Sequence, residues 1–382
     1  MSRLSWRTAG ESHGRGLIAI LEGFPAGVEL DLARIDAELA RRQGGYGRGG
    51  RMKIERDHAE VMSGMRAGRT LGSPIALWIE NKDQTIERLP VPSNPRPGHA
   101  DLAGCQKLGV RDPRAVLERA SARETAARVA LAAIARQLIE ALGVEVFAHV
   151  TELGGHPARA DAYEHAAERR FALREQSEFQ SLDPEVAPAW KKLVDEAREA
   201  GDSVGGVFEV HASGVVPGLG GYHSGAERLT ARLGRALFSI PAIKGVEFGL
   251  GFEAARRPGS AVHDAIVRAP EGARFGRFAR ATNRAGGLEG GMTTGEALVA
   301  RAAMKPIPTL RQGMATVDFE TGAATRATYQ RSDVTSVPAC SVVGEAMIAL
   351  ELADAYLAKL GGDTLEQVRG AFEAHVEALK RL

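Results

Sequence analysis

Two stretches of this chain read as helices that are apolar nearly all the way round: "ASARETAARVALAAIARQLIEALG" (120–143) and "CSVVGEAMIALELADAYLAKLGG" (340–362). A helix without a polar face needs cover on every side. The segments around them alternate as strands, so the simplest arrangement makes the helices an inner layer and gives a layered α+β protein. That requirement constrains the fold more than any other feature of the sequence.

The strands expected are "GLIAILEGF" (16–24), "HAEVMSGM" (58–65) paired in hairpin fashion with "SPIALWIEN" (73–81), "VEVFAHVTEL" (144–153), "SVGGVFEVHASGV" (203–215), and the segments ending in "IKGVEFGLGF" and "EALVARAAMKP". "DLARIDAELARRQ" (31–43) places Leu32, Ile35 and Leu39 on one face, with Asp31 as its N-cap. Residues 82–118 are loop-rich, with prolines at 90, 92, 95, 97 and 113. Residues 156–202 are charged and helical with narrow apolar faces, which reads as a peripheral insertion in a chain that is otherwise a single domain, 1–382. Both halves carry a glycine loop, strands and a buried helix, a pattern compatible with internal duplication.

Composition narrows the function classes. A formal net charge of +1 leaves no global field to draw the chain to nucleic acid or an anionic membrane, and aromatics at 5% argue against base stacking. No run of 18 apolar residues occurs, and the start lacks the apolar stretch of a signal peptide. Cys105 and Cys340 are too few and too far apart for a disulfide framework or a zinc site. The expectation is a reduced, cytoplasmic enzyme without membrane or nucleic-acid partners.

Near the N-terminus, "GESHG" (10–14) fits the G-x-S-x-G turn of serine hydrolases. That elbow needs a strand before it, a helix after it and an oxyanion-hole loop upstream, whereas Ser12 has about ten residues before it and a strand-like run after it. His13, flanked by a small residue and glycine, is either a ligand-facing group or a loop histidine. The glycines read as clearance for a ligand. His99 lies in the rigid "NPRPGHADLAG", where His99 and Asp101 form either a site or a simple turn. Arginines cluster at Arg41, Arg42, Arg48 and Arg51 around "GGYGRGG", at Arg119 and Arg123 where the first buried helix opens, and at Arg331. Arginine suits bidentate grip on carboxylate and phosphate, and Ser121 sits where helix-start N–H groups bind anions. "GGYGRGGR" also resembles the RGG segments of RNA-binding proteins, a thin basis in a nearly neutral chain. "KPIPT" (305–309) offers Lys305 and Thr309 to a phosphate without being a P-loop, no Rossmann fingerprint is present, and no metal constellation emerges from spacing.

Taken in order, "TAGESHGRG", "RRQGGYGRGGRMKIERD", "RPGHADLAG", "ERASARETAARVA", "IKGVEFGLGF", "NRAGGLEGGMTTGE", "MKPIPT" and "QRSDVTSVPA" resemble the chorismate synthase family from about residue 3 to 360, in its longer bacterial form. The resemblance implies a β-α-β sandwich, with a central helical layer between two mostly antiparallel sheets, assembled as a homotetramer. It implies a lyase that converts 5-enolpyruvylshikimate 3-phosphate to chorismate and phosphate by 1,4-anti elimination. Reduced FMN would be required without net redox change. It would come from an external flavin reductase, or by reduction with NADPH; no reductase domain is expected in this chain.

By the same resemblance His13 is the proton donor to the leaving phosphate, His99 faces the flavin near N1, and Asp333 sits near N5 on the path of the C6 proton. Substrate would be held by Ser12, Arg42, Arg48, Arg123 and Arg331, with Arg42 and Arg48 also family positions for NADP. FMN contacts carry over onto Arg119, Ala120, Ser121, Pro241, Ala242, Gly290, Lys305, Pro306, Ile307, Pro308, Thr309 and Arg331. Many relatives have Asn where this chain has Pro241, so a contact there uses backbone.

Overall fold

A computed structural model describes residues 3–49, 56–327, 329 and 333–382. In chain order the main elements are β1 (Ser5–Ala9), β2 (Gly16–Glu22), α1 (Leu32–Gln43), β3 (Glu60–Ser63), β4 (Ile75–Glu80), α2 (Asp101–Leu108), α3 (Thr125–Glu140), β5 (Glu145–Leu153), β6 (His156–Pro157), α4 (Ala167–Gln176), α5 (Ala187–Ala200), β7 (Gly206–Ser213), α6 (Leu229–Phe238), β8 (Ile243–Phe248), β9 (Leu298–Met304), α7 (Val337–Leu360) and α8 (Leu365–Arg381). The first sheet runs β1-β2-β4-β3 and the second β8-β9-β7-β5-β6, with every pairing antiparallel.

The two apolar helices fill the space between these sheets. α3 lies against β2 and β4, α7 lies against β5 and β7, and the helices pack on each other. Every residue of α3 except Arg128 and Glu140 is buried, as is all of α7 from Val337 to Leu357. The layered α+β expectation therefore holds, as a sandwich with helices inside. At Gly344, midway along α7, an added Cβ would stand 2.2 Å from Phe208 Cε2 on β7, so the helix approaches the sheet closely there.

Local chemistry sets the boundaries. Asp31 caps α1 by accepting a hydrogen bond from the Ala33 N–H at 3.0 Å. The first buried helix starts later than the sequence suggests: Ala122–Glu124 form a 3-10 turn capped by Ser121, so Arg119 and Arg123 precede α3. The loop-rich segment carries α2 and a helical turn at Arg114–Leu117. In the polar segment 156–202, Phe179, Trp190 and Val194 are fully buried and join the main core. α8, closed by a Thr364–Gln367 capping box, was not anticipated, because its apolar stripe is narrow and its charge high.

Candidate functional site

GESHG is the loop of an antiparallel hairpin between β1 and β2. A serine elbow requires a strand-to-helix turn, so this context removes the hydrolase reading of Ser12. Its glycines answer to the loop itself rather than to a ligand: Gly10 has φ +104°, an added Cβ there would lie 2.2 Å from the Gly16 carbonyl oxygen, and one at Gly14 would meet Glu11 at 3.2 Å. Ser12 is buried, its N–H donating to the Glu118 carbonyl at 3.1 Å.

His13 is held by Glu118. The ring Nδ1 lies 2.8 Å from Oε2, the His13 N–H donates to the same oxygen at 3.1 Å, and Nε2 stands 3.9 Å from Asp83. The second oxygen of Glu118 accepts from Arg114 at 2.8 Å. Burial pushes the Glu118 carboxyl up, but hydrogen bonding and charge from His13, with Arg114, bring it below its ordinary value. It therefore stays a carboxylate beside the ring.

His99 repeats the plan. Its Nδ1 lies 2.5 Å from Asp101 Oδ1, and Arg96 grips the same carboxylate through Nε at 2.8 Å and a terminal nitrogen at 3.0 Å. Against the burial of Asp101, His99 and Arg96 hold its carboxyl well below the usual range. Arg96 also reaches Thr309 Oγ1 at 3.2 Å, and Lys305 Nζ donates to the Gly98 carbonyl at 2.5 Å, which seats the His99 loop on 305–309. The Lys305 N–H donates to Ala242 at 3.0 Å, and Ala242 itself holds φ +70°, unusual for a residue with a Cβ. Ser203 Oγ donates to the Ile307 carbonyl at 2.7 Å.

A buried polar chain runs from the GESHG loop to the arginines. Asn81 Nδ2 donates to the Glu11 and Gly14 carbonyls at 3.0 and 2.8 Å, and its Oδ1 accepts from Arg123 Nε at 2.8 Å. Arg123 pairs with Asp57 at 2.6 Å, and Arg42 approaches the same carboxylate at 3.6 Å while bonding Thr125 and the Ala122 carbonyl. Burial lowers the Arg42 guanidinium to about 10, with Arg48 and Arg123 adding repulsion that Asp57 only partly offsets. Asp333 Oδ2 pairs with Arg48 at 2.6 Å and accepts from Ser336 at 2.5 Å, while Oδ1 accepts from the Gly49 N–H at 2.6 Å. The glycine-arginine loop is thus folded onto the protein over its described residues, unlike an extended RGG segment.

Structure brings His13, Ser12, Arg123, Arg42, Arg48 and Asp333 into one neighbourhood, and His99, Ala242, Lys305 and Thr309 into a second. The 82–118 segment joins them, since it contains His99, contacts the His13 carbonyl through the Ile86 N–H, and ends at Glu118. Arg119 clamps the hairpin from outside the helix, donating to the Gly10 and Thr8 carbonyls at 3.1 and 2.7 Å, and Ser121 Oγ accepts from the Arg123 N–H at 3.3 Å. Gly290 lies in the turn of the Leu288–Thr293 hairpin that packs on α6. Arg51 and Arg331 lie outside the described residues. Glu118, Arg114, Asn81 and Asp57 escaped sequence reasoning. Only the i,i+4 spacing of Arg114 and Glu118 hinted at one of them.

The family model described as chorismate synthase matches residues 4–357. A chorismate synthase of Syntrophotalea carbinolica is 50% identical over 394 residues, covering 100% of both chains. One of Geobacter sulfurreducens is also 50% identical over 394 residues, covering 99% of each. A solved structure titled "Crystal Structure of Chorismate Synthase" superposes with a TM-score of 0.82 at 43% identity over the full length of both chains. The chain belongs to the chorismate synthase family and is an enzyme of that kind, serving the lyase step of the shikimate pathway.

Proposed function

We propose that this enzyme converts 5-enolpyruvylshikimate 3-phosphate to chorismate and phosphate by 1,4-anti elimination, with reduced FMN as its cofactor. The observation that carries the proposal is the pair of Arg–carboxylate–His units, His13–Glu118–Arg114 and His99–Asp101–Arg96, with the loop of the first joined through Asn81 to buried arginines. A substrate bearing a phosphate and two carboxylates needs such cations for grip and orientation. Arg42, Arg48 and Arg123 supply them, with Ser12 and Arg331 as further contacts. A cleft of about 480 Å³ backs onto Glu118, but Glu11, Glu87, Asp112 and Glu118 outnumber Arg114 and Arg119 along it. That lining does not suit three anionic groups.

The chemistry of the donor set fits a flavin phosphate. Burial and the like charge of Lys244 push the Lys305 ammonium down, and its hydrogen bond goes to a backbone carbonyl rather than a carboxylate. Lys305, Pro306, Ile307, Pro308 and Thr309, together with Arg119, Ala120, Ser121, Gly290, Arg331 and the backbone of Pro241 and Ala242, would hold the cofactor. When bound, reduced FMN supplies electron density to the reacting system and recovers it, so no net redox change results.

The chain's own residues do the rest. Glu118 fixes His13 through Nδ1, and His13 gives a proton to the departing phosphate oxygen. Asp333, oriented by Arg48 and Ser336, lies on the route of the C6 proton. Asp101 and Arg96 fix the ring of His99 beside the cofactor. Reduced flavin comes from an external reductase, with NADPH at Arg42 and Arg48 the second route. The chain acts as a single domain in a cytoplasmic homotetramer, which the exposed Tyr222, Phe252, Ile266 and Phe278 support as contact surface. No helix among the described residues is long and apolar enough to cross a membrane.

Flavin-fluorescence titration tests the cofactor assignment. Lys305→Ala should weaken FMN binding by about 10-fold or more, the scale of a lost charged contact, while His13→Ala leaves it unchanged. Equal affinity in Lys305→Ala would overturn the placement.

A further inference from the structure

On the outer face of the second sheet, remote in sequence from the site above, His149 of β5 stands directly opposite Glu209 of β7, and His211 follows two positions along. Strand alternation puts these three side chains on one face, while Phe208 and Val210 point to the core beneath. Their donor atoms all lie within 4.8 Å of one another. We propose that His149, Glu209 and His211 bind a divalent transition-metal cation of the zinc type.

Two independent observations support this. The first is convergence: His211 Nε2 lies 2.5 Å and His149 Nε2 3.7 Å from the same oxygen, Glu209 Oε1. Ligands 2.0–2.2 Å from a tetrahedral zinc stand about 3.3 Å apart, so small side-chain shifts bring these donors to the required spacing. The second is an unfilled contact: His149 Nε2 is buried and faces Glu209 Oε1 at 3.7 Å, too far for a close hydrogen bond, a position a buried polar atom rarely keeps. A bound cation gives that nitrogen its partner.

The surroundings suit a fixed site. Tyr163 stacks on His211 with ring centroids 3.4 Å apart and 8° between planes, holding the imidazole in place. Neighbouring cations are already matched: Arg301, 3.8 Å from Glu209, lies 3.0 Å from Glu247, and Arg174 pairs with Glu345 at 3.0 Å. Glu209 keeps some solvent exposure, and a water would be the fourth ligand of a tetrahedral cation there. Two imidazoles and one carboxylate favour Zn²⁺, Co²⁺ or Ni²⁺ over Mg²⁺ and Ca²⁺, which take oxygen ligands. Sequence spacing hid the trio, because 60 residues separate His149 from Glu209.

The test uses full-length protein dialysed against a chelator, then titrated calorimetrically with Zn²⁺, with Co²⁺ as a spectroscopic probe. One Zn²⁺ per chain should bind, Mg²⁺ and Ca²⁺ should not, and Co²⁺ should give the visible bands of a tetrahedral site with histidine ligands. His149→Gln and His211→Gln should each weaken Zn²⁺ by about 100-fold or more, beyond what loss of an outer-sphere partner costs. Should either variant misfold by circular dichroism, Glu209→Gln replaces it and should show the same loss. No stoichiometric Zn²⁺, no Co²⁺ bands, or unchanged affinity in the folded variants would overturn the proposal.

Discussion

His13 and His99 both present Nδ1 to a buried carboxylate whose other contacts include an arginine. Each ring is thereby fixed in orientation by its carboxylate. His13→Ala should lose most turnover while retaining FMN binding, whereas Ser12→Ala should cost far less than a lost nucleophile, both read by steady-state kinetics and flavin fluorescence. Abolition of activity by Ser12→Ala alone would contradict the role given to His13. Glu118 is a positioning residue, acting through the ring it holds. Glu118→Gln should lower kcat by about 100-fold, the scale of general acid catalysis, with KM little changed. A fall in Tm with kcat intact would mark it as merely structural.

At the scale of elements, one buried carboxylate knits the inner layer together. Glu345 of α7 pairs with Arg41 of α1 at 2.8 Å, with Arg136 of α3, and with Arg174 of α4 at 3.0 Å, and it accepts from the Ala148 N–H of β5 at 2.8 Å. Burial alone would raise its carboxyl, but the three guanidiniums overcome this and hold it at about 2, below the ordinary 4.5. Its folded value is depressed, so its stabilisation is fully present above pH 4.5 and is lost as pH falls toward 2. Glu345→Gln should destabilise the protein by about 3–5 kcal/mol at neutral pH, the cost of uncompensated buried charge, and flatten acid unfolding over that window. Urea titration at several pH values checks both. Gly344→Ala is a second test. Helix propensity gains about 1 kcal/mol, but a methyl 2.2 Å from the fully buried Phe208 ring costs about 1–3 kcal/mol or more, so Tm should fall.

For the whole molecule, the apolar helices at 120–143 and 340–362 made the layered fold legible, because they need cover on every side and the segments around them alternate as strands. Strands with clear alternation and the Asp31 cap were equally readable. α8 was not, since its stripe of Leu365, Val368, Phe372, Val376 and Leu379 runs through a highly charged segment and buries only Val368 and Phe372. The histidines of the site were visible in their rigid, glycine-bearing loops. Asp101, two positions from His99, was visible with it, but the carboxylate of His13 was not: Glu118 lies 105 residues away, and only the fold brings them together. The same holds for Asp57, which joins Arg42 to Arg123. Light scattering should report four 40.6 kDa chains if the proposed homotetramer forms, and a monomer at micromolar concentration would contradict that proposal.

The most direct test is anaerobic turnover by the purified protein with 5-enolpyruvylshikimate 3-phosphate and chemically reduced FMN. Chorismate and phosphate should appear in equal amounts, with no net consumption of reduced flavin. Absence of product together with absence of FMN binding would contradict the account.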